Sequence, residues 1–572
     1  MMITAGNQWF HDTVSALAYS LARPHERHEP LCRPHNDLTQ FILAQHALMP
    51  DYLRTPMLAA TLGFDTFGLL KGGKRFHRQP PEKRARQIAA WKYSAVGFQR
   101  DLIRYFESLA LVALYSRGGA GSPLPAAQTN DNGAHGVARP TTAQRAQIVV
   151  VGSGPGGAIT ACHLAEAGRD VLLIEEGAYL PLTSCQPFSK DEMLQKYRNG
   201  GQTVAMGKNK IAYVEGRCVG GGSEINSGLY HRTPPEILER WQKEFRVEAL
   251  SERDLTPHFE SCERDVSVSL LPGAAPSASL KLCDGATKLG WKSLEIPRWF
   301  RYEGRDALPR VQADQQVSPT PHAGKRQSMT ETFIPRFLKA GGRLLPRTRA
   351  RLFRTDGNGW LIEAHHQTAG SIKIMAENLF LCAGAVHSPA LLRRSGITSN
   401  IGNSLQVHPT VKIVARFAEA VNSANLGVPV HQVKEFAPRL SFGCSISSPP
   451  FLALGLIDHP EVARETSRSW QNSAIYYAMI TSEGSGTVRT LPRFFDPLVR
   501  YALKGNDRRN LADGFRKLAQ ILFQSGATEL YPGLTRGPVL RCDGCLSKLP
   551  DPLPDGLASL MTIHLFSSCP MG

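Results

Sequence analysis

Gly152-Ser153-Gly154-Pro155-Gly156-Gly157 places glycines where a chain must turn tightly and approach a ligand. Gly152 permits the turn, Gly154 lets backbone N–H groups come close to a pyrophosphate, and Gly157 allows a helix to pack against a strand. Glu175 follows 23 residues after Gly152, at the end of a second apolar run. A carboxylate there can accept hydrogen bonds from ribose hydroxyls. A glycine fingerprint alone is a weak signal. Set between a strand and a helix, with an acid at this distance, it points to a bound dinucleotide rather than a structural turn. The acid at Glu175 disfavours a 2′-phosphate and leaves FAD and NAD both open.

A second segment runs Gly216-Arg217-Cys218-Val219-Gly220-Gly221-Gly222-Ser223-Glu224-Ile225-Asn226. Three consecutive glycines strip every side chain from a stretch of backbone, as close approach to a flat ring or a diphosphate requires. Ser223 and Asn226 then supply hydrogen-bonding groups. A third segment, Leu381-Cys382-Ala383-Gly384-Ala385-Val386-His387-Ser388-Pro389, is followed by Gly402-Asn403, by His408-Pro409 and by His564-Leu565-Phe566-Ser567-Ser568-Cys569-Pro570-Met571-Gly572. Taken alone, His564 reads as an ordinary core or surface histidine.

These segments, in this order, resemble the signatures of the glucose–methanol–choline (GMC) oxidoreductase family: GRxxGGSSxxN, GAxxSPxLLxxSGI, GxNLxxHP and HxxGTxxMG. The likeness implies FAD rather than NAD, with its adenosine diphosphate on Gly152–Gly157 and Glu175. The isoalloxazine would lie against Gly220–Ser223 and Asn226, and Gly216, Arg217, Ala383 and Gly384 are further cofactor-binding candidates. The family's base carries over to His564. Ser567 and Ser568 depart from the usual Gly-Thr. Ile225 stands where some relatives carry a flavin-linked histidine, so non-covalent FAD is expected. Family members continue past this motif, which implies a second catalytic residue, His or Asn, beyond Gly572 and a truncated chain. The stretch from Pro80 to Ser116 resembles the extension of long-chain fatty alcohol oxidases, as do His231-Arg232-Thr233-Pro234-Pro235 and Gly324–Gly342. The implied activity is oxidation of a primary, hydrophobic long-chain alcohol to the aldehyde, with oxygen or an electron carrier as acceptor. Alternatives are a sterol or other alcohol dehydrogenase of the family, or an inactive flavin-binding scaffold. His387 and His408 are read as structural. Cys542-Asp543-Gly544-Cys545 is an isolated CxxC, and no metal is expected.

The elements that must position these residues are α/β. QIVVV at Gln147–Val151 and VLLIEEG at Val171–Gly177, with an Ala-rich stretch between, read as a βαβ unit in a Rossmann-like domain. Further strands are expected at Lys373–Met375 and Asn378–Ala383, and Val411–Phe417 and Ser473–Thr481 suit a second, more antiparallel sheet. Ile88, Trp91, Ala95, Phe98, Leu102, Tyr105 and Leu109 recur on one helical stripe that runs into Leu109–Tyr115. The expected plan is a helical extension over 1–116, a linker over 117–146 and an FAD domain over 147–400. Substrate-domain segments are inserted near 243–320. An α+β substrate domain follows over 401–550, then a return to the FAD domain over 551–572.

The 572 residues are 42% hydrophobic and 20% charged, ordinary for a globular chain of two or three domains. Eleven scattered cysteines and no basic–apolar leader suggest a reducing, cytoplasmic setting. The net charge is +17, and Lys71–Arg104 holds ten Lys or Arg against Glu82 and Asp101. No zinc-finger or helix-turn-helix signature accompanies them, so nucleic acid is not expected. Residues 71–115 instead suggest peripheral contact with an anionic membrane, LALVALY burying apolar surface.

Overall fold

The computed structural model describes residues 5–25, 34–116, 136–302, 324–423 and 429–571. Most of the expected linker, 117–135, and residues 303–320 of the expected insertion lie outside them.

One sheet carries the dinucleotide motif. Strand β1 (Ala143–Val151) lies between β2 (Val171–Ile174) and the strand Gly370–Leu381, parallel to both, with helix α6 (Pro155–Glu166) joining β1 to β2. The sheet closes with Arg343–Leu345 beside β2 and an antiparallel meander of Thr348–Asp356, Gly359–His366 and Gly370–Leu381. Both faces are covered over Ile148–Val151, which is why that half of β1 reads as an unbroken apolar run. Ile148 and Val150 pack under α6 and the helix Phe333–Lys339, whereas Val149 and Val151 face Phe353, Ile362 and Ile374. β1 begins at Ala143, inside the expected linker, because Ala143–Ala146 already pair with Lys373–Ala376. The two strands expected at Lys373–Met375 and Asn378–Ala383 are one continuous strand.

Among the described residues the second sheet has nine strands, centred on Thr410–Phe417 and Ser473–Ile480, which pair antiparallel as expected. Helix Gly505–Gln524 covers one face with Leu511, Phe515, Leu518 and Leu522. The sheet is not confined to 401–550. It also takes Thr203–Ala205, Ile211–Tyr213, Ser293–Glu295 and Leu560–Met561 from segments before and after that span.

The N-terminal region is a helical bundle of α1 (Ala5–Ala22), α2 (Pro34–Leu48), α3 (Asp51–Gly72), α4 (Pro81–Lys92) and α5 (Gly97–Tyr115) around Phe10, Leu17, Phe64, Trp91 and Phe106. The stripe from Ile88 to Leu109 is therefore two helices. Tyr93 ends α4, the Ser94 hydroxyl accepts from the Val96 amide, and the Arg100 guanidinium donates to the carbonyls of Ser94 and Ala95. LALVALY offers its apolar residues to the protein and not to lipid. Leu109 through Ala113 are buried, Leu111 against Ala453 and Ile457. No helix among the described residues is long and apolar enough to cross a membrane.

Candidate active site

The C-terminal ends of β1 and β2 open into a cavity of about 580 Å³. Gly152, Gly154, Gly156, Glu175, Gly216, Gly221, Gly222, Ala383 and Gly384 all line it. Four segments distant in sequence thus meet where the strands of a parallel sheet leave a crevice.

The glycines have distinct physical reasons. Gly152 has φ +98°, and a Cβ there would stand 2.5 Å from the Cys382 carbonyl oxygen. A Cβ on Gly157 would come within 1.8 Å of the Gly152 oxygen, so Gly157 serves packing and does not line the cavity. At Gly154, Gly156, Gly222 and Gly384 an added Cβ meets no protein atom within 4 Å. These four leave room for a ligand rather than for protein. Gly154 caps α6, whose first N–H groups lack helical partners and suit an anion.

Ser153 braces the loops. Its hydroxyl donates to Glu175 Oε2 at 2.8 Å and accepts from the Gly220 amide at 3.1 Å. Glu175 also accepts from the Ser153 and Gly177 amides. Burial pushes its carboxyl up against the pull of those bonds. Ser223 is likewise inward, donating to the Gly220 carbonyl and accepting from the Met329 amide. Asn226 Oδ1 accepts from the Gly228 amide and its carbonyl from Arg326, so this residue shapes the loop. Arg217 pairs with Glu176 at 3.1 Å. Ile225 is buried and apolar, with no nucleophile to offer.

Sequence reasoning missed Glu176, Arg198, Glu215, Arg349 and Arg394, which line the same cavity with His387. Burial alone would raise the Glu176 carboxyl, but Arg198, Arg349 and Arg217 hold it well below the usual range. Burial, with Glu176 and Asp496 nearby, lifts Glu215 to about 7 against Arg198. His387, 3.7 Å from Glu215, is held neutral by burial and by Arg198. The Glu-Glu doublet after β2 was the available signal.

Ile563 and Leu565 also line the cavity and flank His564. Leu565–Phe566 pairs with Gln406–Val407, which brings His564 to His408 with ring centroids 5.6 Å apart, edge to face. Solvent reaches His564, yet the protein around it, and then the Lys434 ammonium, push its imidazole below the ordinary value. Burial, His564 and Lys434 take His408 to about 4; burial, Lys434 and His564 do the same for His231. Lys434 and His231 were not anticipated as neighbours of His564. Lys434 follows the strand His431–Val433 and His231 lies in the segment before the helix Pro235–Phe245, with no motif to join them.

The sequence profile described as GMC oxidoreductase matches residues 193–410, and one described as an NAD(P)-binding Rossmann-like domain matches 150–203. An uncharacterised GMC-type oxidoreductase of Sinorhizobium fredii is 36% identical over 435 residues, covering 75% of this chain and 84% of its own. Another, of Mycobacterium tuberculosis, is 27% identical over 553 residues, covering 92% and 83%. A long-chain-alcohol oxidase of Arabidopsis thaliana is 24% identical over 467 residues, covering 74% of this chain and 59% of the relative. Glycine loops and an acid after β2 that line one cavity, with a histidine between two more of its lining residues, accord with that likeness. The chain is an oxidoreductase and belongs to the GMC family.

Proposed function

We propose that the chain holds FAD non-covalently and oxidises a primary, hydrophobic long-chain alcohol to the aldehyde, with His564 as base and oxygen or an electron carrier as acceptor. The observation that carries this is one cavity lined both by glycines that leave it free of side chains and by Ile563 and Leu565, the two residues that flank His564. FAD would supply a hydride acceptor. Gly154, Gly156 and the N-terminus of α6 would hold its diphosphate, and the open space at Gly222 and Gly384 would admit its ring system. Ile225 offers no atom for a covalent link. The depressed imidazole of His564 is neutral near pH 7 and ready to take the hydroxyl proton. The likeness to the plant long-chain-alcohol oxidase supports the substrate class.

Acid precipitation of the yellow protein should leave FAD in the supernatant, and pelleted flavin would contradict non-covalent binding. Anaerobic mixing with a C10–C16 alcohol series should bleach the flavin. In His564→Ala the spectrum should persist while bleaching slows by about a hundredfold or more, the range for loss of a general base. Equal rates would remove His564 from the reaction, and no bleaching of the parent would favour a scaffold.

A further inference from the structure

Outside the cavity, the CxxC read as isolated proves to be a built pair of thiols. After the strand Ala527–Pro532, Leu540 exchanges both backbone hydrogen bonds with Leu530, at 2.9 and 3.0 Å. Leu549, at the other end of the segment, is buried in the core of the second sheet. Between these anchors a 3-10 turn over Asp543–Lys548 closes with the Cys545 amide donating to the Cys542 carbonyl. The turn sets Cys542 Sγ and Cys545 Sγ 3.2 Å apart. A disulfide needs about 2.05 Å, so closing one asks the sulfurs to move by about 1 Å within a turn already fixed at both ends. Cys542 is exposed and Cys545 half-buried, so a small oxidant reaches both.

We propose that Cys542 and Cys545 are a reversible dithiol–disulfide pair, oxidised by a hydroperoxide and reduced by a small dithiol. The roles of the two sulfurs differ. Cys545 is the nucleophile, because the Arg541 amide and the Cys542 thiol hydrogen-bond to it and Lys548 lies nearby, all favouring its thiolate. Its sulfur attacks one peroxide oxygen, the O–O bond breaks, and the hydroxide released takes the thiol's former proton to become water. A sulfenic acid remains on Cys545. The Cys542 sulfur then displaces hydroxide from it, giving up its proton to form a second water as the S–S bond forms. Together the sulfurs lose two electrons and the two peroxide oxygens gain them. The competing use of a CxxC is metal binding, which needs further ligands. Among the described residues no group of three or more His, Cys, Asp or Glu is arranged to hold an ion.

Trypsin cuts after Arg541 and Lys548, so both cysteines fall in one peptide. The whole protein is reduced, freed of reductant, treated with hydrogen peroxide at one equivalent and then alkylated. The peptide should lose two hydrogens and both alkylation sites, and dithiothreitol should restore them. Cys542→Ser should trap Cys545 as a dimedone-reactive sulfenic acid, whereas Cys545→Ser should leave Cys542 alkylatable. Circular dichroism of both variants should match the parent, since each change is near the surface. Two alkylated thiols after peroxide, a disulfide to Cys569 or another cysteine, or protection by added zinc would each overturn the pair.

Discussion

Gly154 and Gly157 stand three residues apart and are glycine for opposite reasons. Gly157 is pressed against the Gly152 carbonyl, whereas a methyl on Gly154 would project into empty cavity. Gly154 has φ −62°, which any residue adopts. Gly154→Ala should therefore melt no lower than the parent while losing much of its flavin, and Gly157→Ala should fail to fold. Flavin content equal to the parent's in Gly154→Ala would move the diphosphate elsewhere. The acid limb of flavin reduction tests the proposed base. A base must be neutral to act, so the rate should fall as pH drops through an inflection below 6.5, where the lowered pKa of His564 lies. Because Lys434 helps lower it, Lys434→Met should move that inflection up toward 6.5; an unmoved inflection would assign the limb to another group. The glycine spacing and Glu175 were legible in the sequence because backbone geometry dictates glycine locally. The charges around Glu176, and Lys434 beside His564, were not. Those side chains meet only through strand pairings between distant segments, and ion pairs leave no period in a sequence.

At the scale of elements, the bundle shows what periodicity conceals. The steps of three and four from Trp91 through Ala95 and Phe98 to Leu102 continue across the break between α4 and α5, so a single helix fits the pattern equally well. The break lies in the Ser94 and Arg100 hydrogen bonds, which the apolar pattern does not register. Ile148–Val151 of β1 and all of β2 were legible because burial on both faces leaves only apolar residues there. A polar residue does comparable work in α3. Asp65 is fully buried and accepts from Trp9 Nε1 at 2.7 Å, from the His77 amide at 2.9 Å and from His77 Nδ1 at 2.9 Å, tying α1 and the turn after α3 to α3 itself. Asp65→Ala leaves those donors buried and unpaired, a loss of about 2–4 kcal/mol. The melting temperature should fall accordingly, while Asp65→Asn, which keeps acceptor oxygen, should lose less. A melt unchanged in Asp65→Ala would show that the bundle does not depend on this node.

At the scale of the molecule, the bundle is fastened to the catalytic body. Asp51 accepts from the Phe495 and Asp496 amides, Arg104 pairs with Asp458, and Lys92 bridges Glu107 and the Ile457 carbonyl. With LALVALY inside, the apolar surface left outward is elsewhere. Leu70 is 80% and Phe98 57% exposed, beside the exposed cations Lys71, Lys74 and Lys83. If the bundle touches an anionic membrane, these are the residues that do so. Leu70→Glu with Phe98→Glu should then reduce co-sedimentation with anionic vesicles, as should added salt. Sedimentation unaffected by either would leave the patch without a lipid role. The strand order of the first sheet has a further bearing, on synthesis. Ala143 finds its partner in Lys373, and Val151 shares a cavity with Leu565. A ribosome delivers β1 long before either neighbour exists, so its apolar edge must wait unpaired. The cofactor pocket closes only once nearly the whole described chain has emerged. Loading of the cofactor is thus a late event in the life of each molecule, and until then that edge is open to pairing with other chains.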